Sequence, residues 1–358
     1  MHVITNYSAN AGAETMLSRL LTVEPADAMV VSLRDVSPRY RAARGDPIRH
    51  QALGVRSLTE LTRGIRRLAR LIHQERPAAI LCWMYHAMVA GTVAQRLSGV
   101  HVPVFWNVRQ SLDDPRSFSR STRLAVRAAR HLSHLPSGII FNSSRSLALH
   151  RHFGFRNGNM TVIPNGFGPA MPVTCEQAHQ PRVFGIAARL HPQKDHATFF
   201  RAAAQVYRQR PEARFVAVGA GLEEDNAEAI ALRDAAGLPP QAIDLRGETQ
   251  DMGGFYRAID VLVLSSRTEG FPNVVAEAMS FGKPVVTTDV GDAAAIVGDT
   301  GIVVAPGDSC ALAEGMCRML DMSAGTYRQW AAAARKRIAD HYGLPEIARR
   351  YAQFLGTS

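Results

Sequence analysis

At 358 residues, 46% hydrophobic and 20% charged, the chain has the size and composition of two globular domains. Lys and Arg number 41 against 31 Asp and Glu, yet no nucleic-acid motif is present and aromatics do not interleave with the basic runs, which argues against a nucleic-acid partner. No run reaches the ~20 apolar residues of a membrane span, the N-terminus lacks the regions of a secretory signal, and Cys82, Cys175, Cys310 and Cys317 have neither paired nor metal-ligand spacing, so a reducing, cytoplasmic compartment is expected.

In chain order, His2-Val3-Ile4-Thr5 reads as a strand, Asn6–Ala13 as a polar loop of small residues, and a helix begins near Glu14. Ser57–His73 is an amphipathic helix: Leu58, Leu61, Ile65, Leu68 and Ile72 share one face, with Arg63, Arg66, Arg67 and Arg70 beside or opposite. Ala79-Ile80-Leu81 is a strand whose C-terminal edge carries Trp83, Tyr85 and His86. Val102–Val108 is a further strand, ending at Arg109, and Arg116–Arg130 places Arg120, Arg123, Arg127 and Arg130 near three-to-four spacing. Residues 1–170 hold 22 Arg, no Lys and nine acidic residues, a charge of +13, while the remainder is −3. The apolar stripes are expected to pack on a sheet. The Arg faces either stay solvated or meet anionic lipid on the inner face of a membrane.

Gly166 to Pro181 is rich in Gly and Pro and lacks periodicity, so residues 167–181 are taken as a linker between domains spanning 1–166 and 182–344. Val183–Arg189 is an apolar strand ending in Arg189; Lys194 follows in the loop, and Asp195 caps a helix starting at His196. Strands alternating with helices argue for parallel α/β architecture, and such sheets bind ligands outside the C-terminal ends of their strands. Arg189 and Lys194 stand there, a planar fork and a point charge suited to a diphosphate.

The strand Val261–Leu264 is followed by E-G-F-P-N-V-V-A-E, Glu269 to Glu277. Asn273 is expected to cap a helix over Val274–Phe281, leaving the N–H groups of Val274 and Val275 as an anion site. Glu277 lies one turn on, and Glu269 sits in the preceding loop. An anion flanked by two hydroxyl-binding carboxylates suits a sugar nucleotide. A glycosidase carboxylate pair and a simple macrodipole effect are the competing readings of that spacing.

The motifs A-R-L-H-P-Q-K-D and E-G-F-P-N-V-V-A-E-A-M-S-F-G-K-P-V-V, with V-I-P-N-G at Val162–Gly166 and the stretch Asp289–Val304, resemble the family 4 retaining glycosyltransferases of GT-B fold. The similarity spans most of the chain and is strongest from Val183 to Pro306. It implies two Rossmann-like parallel-sheet domains facing a central cleft, with residues 345–358 crossing back as a helix onto the first. By the resemblance, Arg189 and Lys194 bind the nucleotide diphosphate, Glu277 the ribose, and Glu269 the donor sugar, helped by the backbone at Gly270, Phe271, Asn273 and Val274. Gly219, Gly221, Arg246, Gly247 and Glu248 are placed where the family seats the nucleobase. No metal and no cofactor are implied beyond the nucleotide-sugar donor.

Two departures stand in the first half. Gly12, within Ala11-Gly12-Ala13, occupies a loop where the family carries a glycine pair, and would still admit the donor phosphate. Arg109 stands where many relatives have a His near the sugar's reactive face; it is expected to touch the donor phosphate or an acidic acceptor, or to be a salt-bridged wall residue. His86 with Trp83 and Tyr85 forms a candidate acceptor platform, plain core packing being the alternative. The implied activity is retaining, metal-independent transfer from a nucleotide-diphosphate sugar to a glycan or lipid-linked acceptor in surface polysaccharide or glycolipid biosynthesis. A sugar-nucleotide epimerase and a catalytically weak binding protein are the alternatives.

Overall fold

Short β-branched runs separated by amphipathic helices are the pattern of strands buried on both faces, and in a computed structural model they build two parallel sheets, one in each of two compact units. The structure describes residues 1–8, 12–23, 28–40, 48–113, 115–168 and 180–357. Unit 1 comprises Met1–Gly168 and Leu344–Ser358; unit 2 comprises Pro169–Gly343. Most of the expected linker, residues 169–179, and Ala11 of the first loop lie outside the described residues.

Unit 1 runs β1 (His2–Ile4), α1 (Gly12–Val23), β2 (Met29–Ser32), β3 (Arg49–Ala52), α2 (Leu58–Glu75), β4 (Ile80–Trp83), α3 (Tyr85–Leu97), β5 (Val104–Val108), α4 (Arg120–Leu132), β6 (Gly138–Phe141), α5 (Ser144–Phe153) and β7 (Met160–Val162). Its strands lie in the order β3-β2-β1-β4-β5-β6-β7. The period of two assigns side chains to opposite faces. Val3, Ile80 and Cys82 face one core with Leu68, Ile72 and Met88 of the α2 and α3 layer. Ile4, Leu81 and Trp83 face the other with Met16 and Leu17 of α1. Ser57 and Glu60 close a reciprocal capping box on α2, worth about 1 kcal/mol. Arg63, Arg66, Arg67 and Arg70 are exposed while Leu68 and Ile72 are buried, so the stripe and the Arg face divide as the periodicity requires.

Unit 2 continues with β8 (Val183–Ala187), α6 (His196–Gln209), β9 (Arg214–Val218), α7 (Ala227–Ala236), β10 (Ile243–Leu245), α8 (Met252–Ala258), β11 (Val261–Leu264), α9 (Asn273–Ser280), β12 (Val285–Thr288), α10 (Ala293–Val297), β13 (Gly301–Val304), α11 (Ser309–Leu320) and α12 (Ala324–Tyr342). The sheet order is β10-β9-β8-β11-β12-β13, and Phe184, Phe199 and Phe215 centre its core. The last helix, α13 (Leu344–Leu355), belongs to unit 1, where Leu344, Ile347 and Tyr351 are buried with the α1 face. One capping expectation is corrected. Asn273 is the first helical residue of α9 and the cap position is Pro272, which offers no side-chain acceptor; a proline there presets the backbone instead.

Candidate functional site

Each sheet reverses its direction of growth once, between β1 and β4 in unit 1 and between β8 and β11 in unit 2. A crevice at the carboxyl ends of strands is expected at such a point. In unit 2 the loops that follow β8 and β11 are stitched together there. Ser265 Oγ donates to the Lys194 carbonyl at 2.9 Å, and the Arg267 N–H to the Gln193 carbonyl at 2.8 Å. Lys194 Nζ meets Glu269 Oε1 at 2.6 Å, and Ser266 Oγ donates to the same oxygen at 2.7 Å. Asp195, in the left-handed region at φ 49, accepts from Thr198 N–H as the α6 cap and pairs with Arg267 at 2.9 Å. Arg189 stands exposed at the end of β8.

The loop after Glu269 is held from the next strand. The Asp292 N–H donates to the Gly270 carbonyl at 3.1 Å, and a β-carbon on Gly291, at φ 57, would lie 2.3 Å from that oxygen. Only glycine tolerates both the dihedral and the approach. Phe271 is buried edge-on against Tyr342, so its ring is a support and its backbone is what remains for a ligand. Asn273 and Val274 open α9 beside it. Half-buried Glu277 accepts a 2.8 Å hydrogen bond from the Tyr256 hydroxyl of α8. On the other side of β8, Gly219 N–H donates to the Gly247 carbonyl at 2.7 Å, which joins the Gly219–Gly221 turn to the Arg246–Glu248 turn. A β-carbon on Gly219 would collide with the Ala188 carbonyl at 2.1 Å. The exposed Arg246 guanidinium lies on Asp244 at 2.6 Å.

In this way the structure gathers Lys194, Glu269, Gly270 and α9 at the β8/β11 reversal, with Arg189 at the end of the strand that borders it. Sequence reasoning missed Ser265, Ser266, Tyr256 and Gly291. A serine pair closing a buried strand three and four residues before Glu269 was a usable signal. Tyr256, on a separate helix, gave none.

The unit 1 crevice is a cavity of about 460 Å³ whose walls include Thr5, Gly12, Glu14, Arg34, His86 and Arg109. Of the expected platform, Tyr85 and His86 line this cavity and Trp83 does not. Trp83 is fully buried, with Nε1 donating to His2 Nδ1 at 3.2 Å and its ring stacked on Tyr351. Tyr85 is buried with its hydroxyl on His150 Nε2 at 2.8 Å. Between them Met84 holds φ 71 and ψ 158, a region costly for a side chain and found where a site fixes the backbone. Half-buried His86 lines the cavity, and burial, then the nearby Arg34 charge, hold its pKa below the ordinary imidazole value.

Arg109 is not salt-bridged among the described residues. Its Nη1 donates to the Tyr351 hydroxyl at 3.0 Å, and its guanidinium carbon lies 5.7 Å from the Trp83 ring centroid. Nε and Nη2 are buried without a hydrogen-bond partner. Burial, and secondarily the Arg19 charge, lower its pKa against the raising influence of Tyr351.

Comparison with known proteins adds to this geometry. The family described as glycosyl transferases group 1 matches residues 181–322, and the one described as glycosyltransferase family 4 matches residues 16–170. A probable transglycosylase of Burkholderia thailandensis is 37% identical over 130 residues, 34% of each chain. The lipopolysaccharide core biosynthesis mannosyltransferase LpsB of Rhizobium meliloti is 33% identical over 112 residues, 30% of this chain and 31% of that one. The matched segments therefore span about a third of the length of these curated relatives. The crystal structure of Anabaena HepE in complex with UDP and glucose superposes with a TM-score of 0.82 at 23% identity, covering 100% of this chain and 99% of that one. The lipopolysaccharide outer core galactosyltransferase WaaB follows at 0.76 and 17%, covering 99% and 98%. At these identities the superpositions establish the fold.

Proposed function

The chain belongs to the group 1, family 4 glycosyltransferases, and on that premise we propose that it moves a sugar from a nucleotide-diphosphate sugar to a glycan or lipid-linked acceptor, with retention at the anomeric carbon and no metal ion. The observation that carries this reading is the bonded pair of loops that follow β8 and β11. It presents Lys194 bonded to Glu269 beside the start of α9, with Arg189 on the strand end that borders it. The diphosphate takes Arg189, Lys194 and the α9 N–H groups. Glu277, steadied by Tyr256, takes the ribose hydroxyls, and Glu269 turns from Lys194 to the donor sugar's hydroxyls.

Reaction begins as the bond between the anomeric carbon and the phosphate oxygen breaks, and the charge arriving on that oxygen is met by the two cations. The acceptor oxygen bonds to the same face of the anomeric carbon, and its proton passes to the departing phosphate. Both the front-face course and the metal independence rest on this cation set. The family assignment does not favour the epimerase or the pure binding protein. Incubation with a panel of nucleotide sugars and acceptor glycans, in excess chelator, is the test. Transfer is expected to persist, and NMR of the product is expected to give the donor's anomeric configuration. Inversion, or activity restored only by a divalent ion, contradicts the mechanism.

A second observation supports a place at a membrane surface. No helix among the described residues is long and apolar enough to cross a membrane. The outer faces of α2 and α4 expose Arg63, Arg66, Arg67, Arg70, Arg123 and Arg127, with Leu124 64% exposed among them. Such a face suits an anionic membrane surface, each Arg contributing about 1 kcal/mol within a Debye length. Co-sedimentation with anionic vesicles, lost in neutral vesicles and after charge reversal of the four α2 arginines, is the expected outcome; equal pelleting with both removes the membrane from the account.

A further inference from the structure

A guanidinium shielded from water and unmatched by a carboxylate is costly, because burial removes hydration that nothing in the chain replaces. Arg109 comes close to that state: the residue is half-buried, its Nε and Nη2 are buried and unbonded, and Nη1 serves Tyr351 and, at 3.5 Å, Asn107. Nε and Nη2 form one edge of the guanidinium plane. That edge donates two parallel hydrogen bonds to the paired oxygens of a carboxylate or phosphate. The side chain lines the 460 Å³ cavity at the β1/β4 reversal, together with Arg34, His86 and Gly12 at the start of α1; among the described residues, Glu14 is the one carboxylate on those walls. Ser121 and Thr122 from the start of α4 line it too, hydroxyls that suit a sugar ring next to the acid.

We infer that this cavity binds an acceptor through an oxyacid group, a carboxylate or a phosphate held side-on by Arg109 and flanked by Arg34. The inference rests on the transferase reading and names the acceptor's chemical class. The donor diphosphate has its own cations, Arg189 and Lys194, in unit 2. The acid at Arg109 is therefore a second anion, and acceptors without one bind poorly. The cost of the orphan guanidinium in the empty chain is recovered when that acid arrives, since the unmet N–H groups then gain partners without losing others.

Equilibrium titration of the full chain with glucose, glucuronate and glucose 1-phosphate tests this without requiring turnover. One charged sugar or both should bind at least tenfold more tightly than glucose. Binding of glucuronate alone assigns a carboxylate, and of glucose 1-phosphate alone a phosphate. Arg109→Gln should remove the preference, and Arg34→Gln, on the exposed rim, should weaken it severalfold. Lys194→Ala should leave it within twofold. The unliganded Arg109→Gln protein should melt no lower than the parent, because a buried unpaired charge has been removed. Equal affinity for the three sugars overturns the inference, as does a preference lost with Lys194→Ala and kept with Arg109→Gln. Should Arg109→Gln fail to fold, an unchanged preference in Arg34→Gln also overturns it. Nucleoside diphosphate titrated into the same sample separates the two readings: binding of the diphosphate without an acid preference leaves the transferase reading in place.

Discussion

The two reversal points differ in how their charges are settled before any ligand arrives. In unit 2, Lys194 is paired with Glu269, Glu269 with Ser266, and Glu277 with Tyr256. In unit 1, Arg109 keeps two buried donors unbonded, in contact with an aromatic face and a tyrosine hydroxyl. A ligand entering unit 2 exchanges partners, so its gain per contact is the modest net value of a hydrogen bond. A ligand entering unit 1 satisfies donors that had none, and the gain is larger. The lesson concerns preorganisation. The unit 2 loops are held in shape by their own ion pair, whereas the unit 1 cavity takes its shape from the core beneath, from Trp83, Tyr351 and the strained Met84.

The largest expected effect tests the exchange directly. Lys194→Ala should lower turnover by ~10²–10³, as loss of one preorganised donor to a developing oxyanion does, while far-UV circular dichroism stays native. A change confined to KM would mean that Lys194 holds the donor equally in ground and transition states.

Acid should act on both units together. Burial pushes His150 in unit 1 and His196 in unit 2 down to about 4. Between pH ~6.5 and 4 the unfolded chain takes up protons that the folded chain refuses, so stability falls as pH falls, by about 1.4 kcal/mol per unit for each group. Above pH ~6.5 these groups contribute no slope. Thermal melts at pH 7 and 4.5 are expected to show both units lowered; a unit that keeps its melting temperature has a histidine that charges without cost.

Smaller effects separate contact from support at the ribose end. Glu277→Ala should weaken nucleoside diphosphate binding by about 1.5–3 kcal/mol, the range for a charged partner, and Tyr256→Phe by about 0.5–1.5 kcal/mol, since it removes only the bond that aims the carboxylate. Equal losses from the two would make Tyr256 a ligand contact in its own right.

Much of this comparison could be read in the sequence, for physical reasons that also mark where reading stopped. Apolar runs bounded by Arg189 and Glu269 carry the strand and the loop that follows it in one local stretch, so the α/β fold and the cation and carboxylate set were legible. Lateral strand order is not a periodic property, so the two reversal points were not. Trp83 and Tyr85 looked like a surface platform because they stand with His86 at the C-terminal edge of a strand; Tyr351, some 270 positions later, stacks on Trp83, and His150 takes the Tyr85 hydroxyl. Asn273 looked like a cap because its residue type favours that role, but Pro272 already fixes the turn. Arg109 was visible as a departure from its family's pattern. That its Nε and Nη2 lack a hydrogen-bond partner depends on which elements meet around it, and only the folded chain supplies that.

The proposed division of labour gives the nucleotide diphosphate to unit 2 and the acceptor to unit 1. Isothermal titration of uridine, guanosine and adenosine diphosphates into the full chain tests it most directly, in the parent, in an Arg189→Ala/Lys194→Ala double variant and in Arg109→Gln. At least one diphosphate should bind the parent, the double variant should lose that binding, and Arg109→Gln should retain it. Binding that survives the double variant and disappears with Arg109→Gln would contradict it.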